Sequence, residues 1–155
     1  AQARMAAEQL ADMQFAAVFT SPLLRTSQTA AILGDRLSLV PIVSEAFNEI
    51  RMGPWQGLRE AEVAKRYPDA FALWNTMPAD LRLQGRETLR DVQARAVAGV
   101  RHAIEAGNGG MVVIVSHVAI IRTLVLHIAG RSLNDYKMVH VPNAAPMILD
   151  WDVDV

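Results

Sequence analysis

Apolar and polar positions alternate with two different periods along this chain, and the alternation of periods itself indicates a fold class. The opening run from Ala1 to about Asp12 is rich in Ala, Leu, Met, Glu and Gln and reads as a helix, followed by a short apolar strand from Phe15 to Phe19. Ser21 and Pro22 then offer a cap and a first-turn residue for a helix from about Leu23 to Arg36, with Ala30, Leu33 and Leu37 on one face. Pro41 to Val43 reads as a brief strand. The middle of the chain is interrupted by Gly53, Pro54, Gly57 and Pro68, with short helical stretches at Leu58 to Arg66 and Ala70 to Asn75 and a loop from Met77 to Gly85.

The final third is the most regular. Thr88 can cap a long helix in which Leu89, Val92, Ala96, Val100 and Ile104 recur at helical spacing until Gly107. Met111 to Val115 is a continuous apolar run of the kind found in strands covered on both faces, and it is expected to be the central strand. A helix from Ile120 to Ile128, a helical turn within Ser132 to Met138, and a final edge strand from Pro146 to Val153 complete the prediction. Strands alternating with helices predict a single α/β domain over residues 1–155, built on an open, mainly parallel sheet with helices on both faces.

Composition narrows the function classes. Fifteen Lys plus Arg against sixteen Asp plus Glu give a formal charge of −1, so no global field attracts nucleic acid or an anionic membrane. No apolar run approaches the roughly 20 residues needed to span a bilayer. The lack of cysteine removes disulfides and thiolate metal sites and fits a reducing, cytoplasmic setting. His102, His117, His127 and His140 show no metal-ligand spacing, so neither metal nor cofactor is expected.

Ligands of open parallel sheets sit beyond the carboxyl ends of the strands. Two segments fall there: Ser21 to Arg25 after one predicted strand, and Ser116-His117 after another. Arg25 offers a permanently charged fork suited to phosphate oxygens, and His117 sits where a helix start favours an anion. Each also has a plainer reading, as a solvated helix arginine and as a histidine satisfying a neighbouring carbonyl. Glu49, ahead of a Gly/Pro/Trp loop, is a proton donor to a leaving oxygen if burial raises its pKa, and otherwise a surface carboxylate. Ser116 lacks the flanking glycines of a nucleophile elbow, since Ile114 and Val118 occupy those positions.

Taken together, these segments resemble the histidine phosphatase superfamily, with its phosphoglycerate-mutase-like fold, in several places and in the right order. Ser21-Pro22-Leu23-Leu24-Arg25-Thr26-Ser27-Gln28-Thr29-Ala30 is similar to the family's Ser-Pro-Leu-x-Arg-(Ala/Thr)-x-x-Thr-Ala. Glu49-Ile50-Arg51-Met52-Gly53-Pro54-Trp55-Gln56-Gly57 resembles Glu-Ile-x-x-Gly-x-Trp-Glu-Gly, with Gln56 in place of glutamate. Gly85 to Thr88 resembles the Gly-Glu-Ser stretch before the long helix, and Val115 to Arg122 resembles Val-Ser-His-Gly-Gly-x-Ile-Arg, with Val118 in place of glycine.

The resemblance implies a phosphomonoester hydrolase that works through a phosphohistidine. In it Arg25, His117 and Ser21 hold the phosphoryl group, while Glu49 and His117 act in catalysis. It also implies that the nucleophilic histidine belongs to an Arg-His-Gly segment at the end of a first strand that this chain lacks, because no histidine precedes His102. Arg51, Trp55 and Arg82 are expected in loops that read the rest of a small phosphorylated substrate. A homodimer is compatible with the sequence. A mutase-type phosphotransferase and a non-catalytic phospho-ligand-binding protein are the alternative functions; the middle region looks more like the phosphatase branch than the mutases.

Overall fold

The computed structural model describes residues 1–151. Its frame is a three-stranded parallel sheet in which β1 (Ala17–Thr20) lies between β2 (Ile42–Val43) and β3 (Val112–Val115). Thr20 stands opposite both Val43 and Val115, so β1 ends level with each neighbour. The helices are α1 (Gln2–Gln9), α2 (Leu24–Leu37), α3 (Glu60–Arg66), α4 (Pro68–Thr76), α5 (Leu89–Ala106) and α6 (Val118–Ile128).

Side chains alternate across a strand, and β3 uses both of its faces. Val113 and Val115 pack with Ala7 and Leu10 near α1 and Leu33 of α2, whereas Val112 and Ile114 pack against the larger cluster built from Phe19, Val92, Ala96, Val100, Ile120 and Leu124. Helices therefore cover both faces, as the periodicity predicts. Trp55, Val63 and Leu81 form a third apolar cluster with α3 and α4, joined to the main core through Met52 and Trp74.

The long helix is set by its cap. Thr88 Oγ1 accepts from the Asp91 amide at 3.1 Å while Asp91 returns a bond to the Thr88 amide at 3.0 Å, a reciprocal arrangement that satisfies two end donors. Gly99 lets α5 approach the 45–47 turn, because a Cβ there would lie 2.6 Å from the Ala46 methyl.

Four expectations are corrected. β3 is an edge strand of this sheet and β1 is the middle one, since nothing in the described residues pairs with the far side of β3. Its apolar character is met instead by a cleft of about 590 Å³, lined on one side by Leu10 and Leu33 and on the other by Val100, Ile120 and Leu124, with Pro146 to Trp151 along the rim. No strand forms over 146–151, which has no neighbour to pair with there; residues 152 and 153 lie outside the described residues. Finally, Ser21 is not the cap of α2. The capping position is Leu23, and Pro68, expected to separate two helices, instead begins α4.

Phe47 is fully buried, meets Phe19 edge-on at 6.3 Å, and accepts through its carbonyl from Ser116 Oγ at 2.7 Å. Phe47→Ala is expected to cost about 3–5 kcal/mol in urea unfolding. A loss below about 1 kcal/mol would mean that this ring does not pin the 45–49 turn to the core.

Candidate active site

The level ends of β1 and β3 bring the two predicted segments together. The Ser21 amide donates to the Val115 carbonyl at 3.3 Å, continuing the ladder one step past the strand, and Ser21 and His117 face each other immediately beyond it. Ser21 Oγ lies 2.7 Å from His117 Nε2, and Arg25 Nη2 lies 2.8 Å from His117 Nδ1.

The direction of these bonds follows from what each group can do. A guanidinium has no acceptor, so Arg25 donates and His117 Nδ1 must be the bare nitrogen. Nε2 then carries the proton and donates to Ser21 Oγ. Ser21 is left to donate to Thr26 Oγ1 at 2.6 Å, and Thr26 to the Leu23 carbonyl at 2.8 Å. One polarised relay thus runs from an exposed cation to a main-chain oxygen, and it fixes the neutral Nε2–H tautomer. The imidazole's pKa is lowered from 6.5 to about 4, first by burial and then by the charges of Arg25 and Arg95.

A second polar group supports the site from below. Glu87, 6% exposed, accepts from Arg95 Nε at 2.8 Å and Nη2 at 3.1 Å and from the Arg51 amide at 2.9 Å. Burial pushes the Glu87 carboxyl up, but these bonds and the adjacent arginine charges outweigh it and hold the pKa below the usual value. Arg95 also donates to the Ala46 carbonyl at 2.8 Å and the Glu49 carbonyl at 3.4 Å. The loop bearing Glu49 is thereby tied to α5, and Ser116 Oγ ties it to the end of β3 through Phe47.

Glu49 itself is half-buried and accepts from the Ile50 amide at 2.9 Å; no hydrogen bond joins it to Arg25 or His117. Of the residues expected to read the substrate, Arg51 and Arg82 are exposed. Trp55 is 3% exposed and belongs to the third cluster, where it meets Trp74 edge-on at 6.3 Å. Its indole is therefore packing beneath the loop.

Sequence reasoning did not single out Thr26 and Arg95, which complete the relay and the support. Neither carried a local signal: Glu87 lies ahead of the Thr88 cap, outside α5, so its meeting with Arg95 is not a helical repeat. Among the described residues, no group of three or more His, Asp or Glu could hold a metal, and no helix is long and apolar enough to cross a membrane.

The sign of the pH effect follows from the low His117 pKa. The folded state binds this proton less readily than the unfolded chain, so stability is full above pH 6.5 and falls as pH drops towards 4, by about 3 kcal/mol in all. In phosphate-free buffer the His117 ring protons should titrate near pH 4, and added inorganic phosphate should move the midpoint upward. A midpoint near 6.5 without phosphate would contradict the relay.

Over most of its length the chain is similar in sequence and in fold to known proteins. "Phosphoserine phosphatase 1" of Hydrogenobacter thermophilus is 28% identical over 97% of this chain and 72% of its own length. "2-carboxy-D-arabinitol-1-phosphatase" of Triticum aestivum is 31% identical over 92% of this chain but only 28% of its own length. Among solved structures, a mycobacterial glucosyl-3-phosphoglycerate phosphatase superposes with a TM-score of 0.76 at 28% identity, covering 90% of this chain and 70% of that one. The family model for branch 1 of the histidine phosphatase superfamily matches residues 1–154, and the chain belongs to that superfamily.

Proposed function

We propose that this chain is the phosphate-binding body of a phosphomonoester hydrolase acting on small phosphorylated substrates through a phosphohistidine intermediate, with the nucleophilic histidine on a segment outside residues 1–155. The observation that carries the reading is the meeting of Arg25, His117 and Ser21 beyond the ends of two parallel strands. The named relatives support the substrate class, being phosphatases of small phosphate esters.

In this reading Arg25 turns its charge to the phosphoryl oxygens. His117, neutral in the empty site, takes up a proton as the dianion arrives and donates to it. The incoming histidine nitrogen forms a bond to phosphorus as the ester P–O bond breaks, and Glu49 gives its proton to the departing oxygen. Water then attacks the phosphorus, the P–N bond breaks, and the Glu49 carboxylate takes the proton from that water.

Three of the chain's four histidines are engaged elsewhere, which favours an external nucleophile. His117 is held in the relay, His102 packs edge-on to Phe19 at 6.4 Å, and His127 stacks on Trp151 at 5.6 Å. In this reading the segment would sit on the side of β3 that is unpaired among the described residues. A strand there would find unpaired backbone groups, apolar walls on both faces and an end beside His117.

In the complete enzyme, Arg25→Ala is expected to lower turnover by roughly a hundredfold or more, and His117→Ala to do likewise while the enzyme stays folded at the assay temperature. Normal turnover in Arg25→Ala would sink the assignment. Rapid quenching with a radiolabelled phosphate ester should give an acid-labile, base-stable label on a histidine outside residues 1–155; a label on His117, or none, would refute the division of labour. Activity should also persist in chelator.

A further inference from the structure

Glu49 owes its place to its main chain. Its carboxylate accepts from the Ile50 amide at 2.9 Å, a bond between chain neighbours that cannot fix where the two of them lie. The backbone around it is gripped from α5 and from the loop before that helix. Arg95 Nη2 donates to the Glu49 carbonyl at 3.4 Å, and Nη1 to the Ala46 carbonyl at 2.8 Å. Two residues on, the Arg51 amide donates to Glu87 Oε2 at 2.9 Å, and the Glu87 amide donates to the Arg51 carbonyl at 3.0 Å. Arg95 and Glu87 are joined to each other through Nε to Oε1 at 2.8 Å and Nη2 to Oε2 at 3.1 Å. One partner of the ion pair thus holds the Glu49 carbonyl while the other holds the amide two residues later.

The side chains of Glu87 and Arg95 are 5% and 23% exposed. Charges withdrawn from water to that degree are offset only by good geometry and further bonds, and apolar residues of similar volume would fill the space as well. Apolar residues would not bond to the Glu49 main chain. The planar fork matters too: it meets the carboxylate along one edge and two carbonyls with its terminal nitrogens, which an ammonium cannot reproduce. Neither Arg95 nor Glu87 belongs to the hydrogen-bonded relay of Arg25, His117, Ser21 and Thr26.

We infer that Arg95 and Glu87 are positioning residues for Glu49: they set where its carboxyl meets the leaving oxygen, and so govern proton transfer to that oxygen while phosphate capture stays with Arg25, His117 and Ser21. The role rests on the assignment of Glu49 as the proton donor. In the first step the ester P–O bond breaks as the histidine nitrogen bonds to phosphorus, and the proton passes from the Glu49 carboxyl to the departing oxygen. A displaced carboxyl therefore slows esters of basic alcohols most, whereas a phenolate stabilised by a nitro group leaves with little need of the proton.

The test compares kcat/KM for phenyl phosphate and 4-nitrophenyl phosphate in the complete enzyme, nucleophilic segment included. This quantity reports the first step and is blind to hydrolysis of the phosphohistidine. Arg95→Lys keeps a charge beside Glu87 but cannot span the two carbonyls. It is expected to lower the phenyl phosphate value roughly a hundredfold, and the 4-nitrophenyl phosphate value by a factor roughly ten times smaller. Glu87→Gln, equal in size, should move the ratio the same way and decides the matter if Arg95→Lys does not fold. Equal losses for both esters would make the pair a fold contact and overturn the inference. Glu49→Gln separates the two roles. If it shows the selective loss and the Arg95 and Glu87 variants do not, only the positioning role falls; if it spares the ratio, the proton-donor assignment falls with it.

Discussion

The parallel pairing of β1 with β3 is the constraint on which the chemistry depends. Four residue pairs in register, from Ala17 opposite Val112 to Thr20 opposite Val115, decide that the chain leaves the sheet at the same level twice. A slip of one residue would turn every side chain of one strand to the opposite face and separate Ser21 from His117. The register is held by burial on both sides, with valines of β3 directed alternately into two apolar clusters. Packing far from the site thus fixes a hydrogen bond of 2.7 Å within it.

Polar groups carry that precision outward. Arg95 is a half-buried hub on α5 that meets Glu87, the Ala46 carbonyl and the Glu49 carbonyl, so one guanidinium joins the long helix to two loops. Leaving such a hub unpaired would cost more than its bonds add, because the stranded partner would be a buried carboxylate. The same logic explains why the 51–53 and 85–86 loops lie so close: a Cβ on Gly53 would stand 2.6 Å from the Arg86 amide nitrogen, and Met52 pairs with Arg86 across the gap.

Much of this was legible in the sequence, for identifiable reasons. α5 could be read because a periodic apolar face and a cap agree, and β3 because an unbroken apolar run has few other uses. The convergence of Arg25 and His117 followed from strand ends alone, and the family pattern from motifs that each span several residues. What escaped was non-local. The apolar run of β3 did not reveal whether both its edges are paired, because side-chain patterns report covered faces and not filled edges. Ser21 resembled a helix cap by residue type, yet its hydroxyl is committed to His117, 96 positions away. Trp55 sits in a loop by sequence but in a core by packing. Arg86, Arg122 and Lys137, which gather around Trp74 and Tyr136, come from three separate regions that no local pattern links.

The open side of β3 also bears on how the site would be completed. Among the described residues that edge is unpaired and lies between apolar walls, and such an edge is a template that an extended segment can complete. One added strand would thus do two things at once, covering the apolar walls of the cleft and ending beside His117.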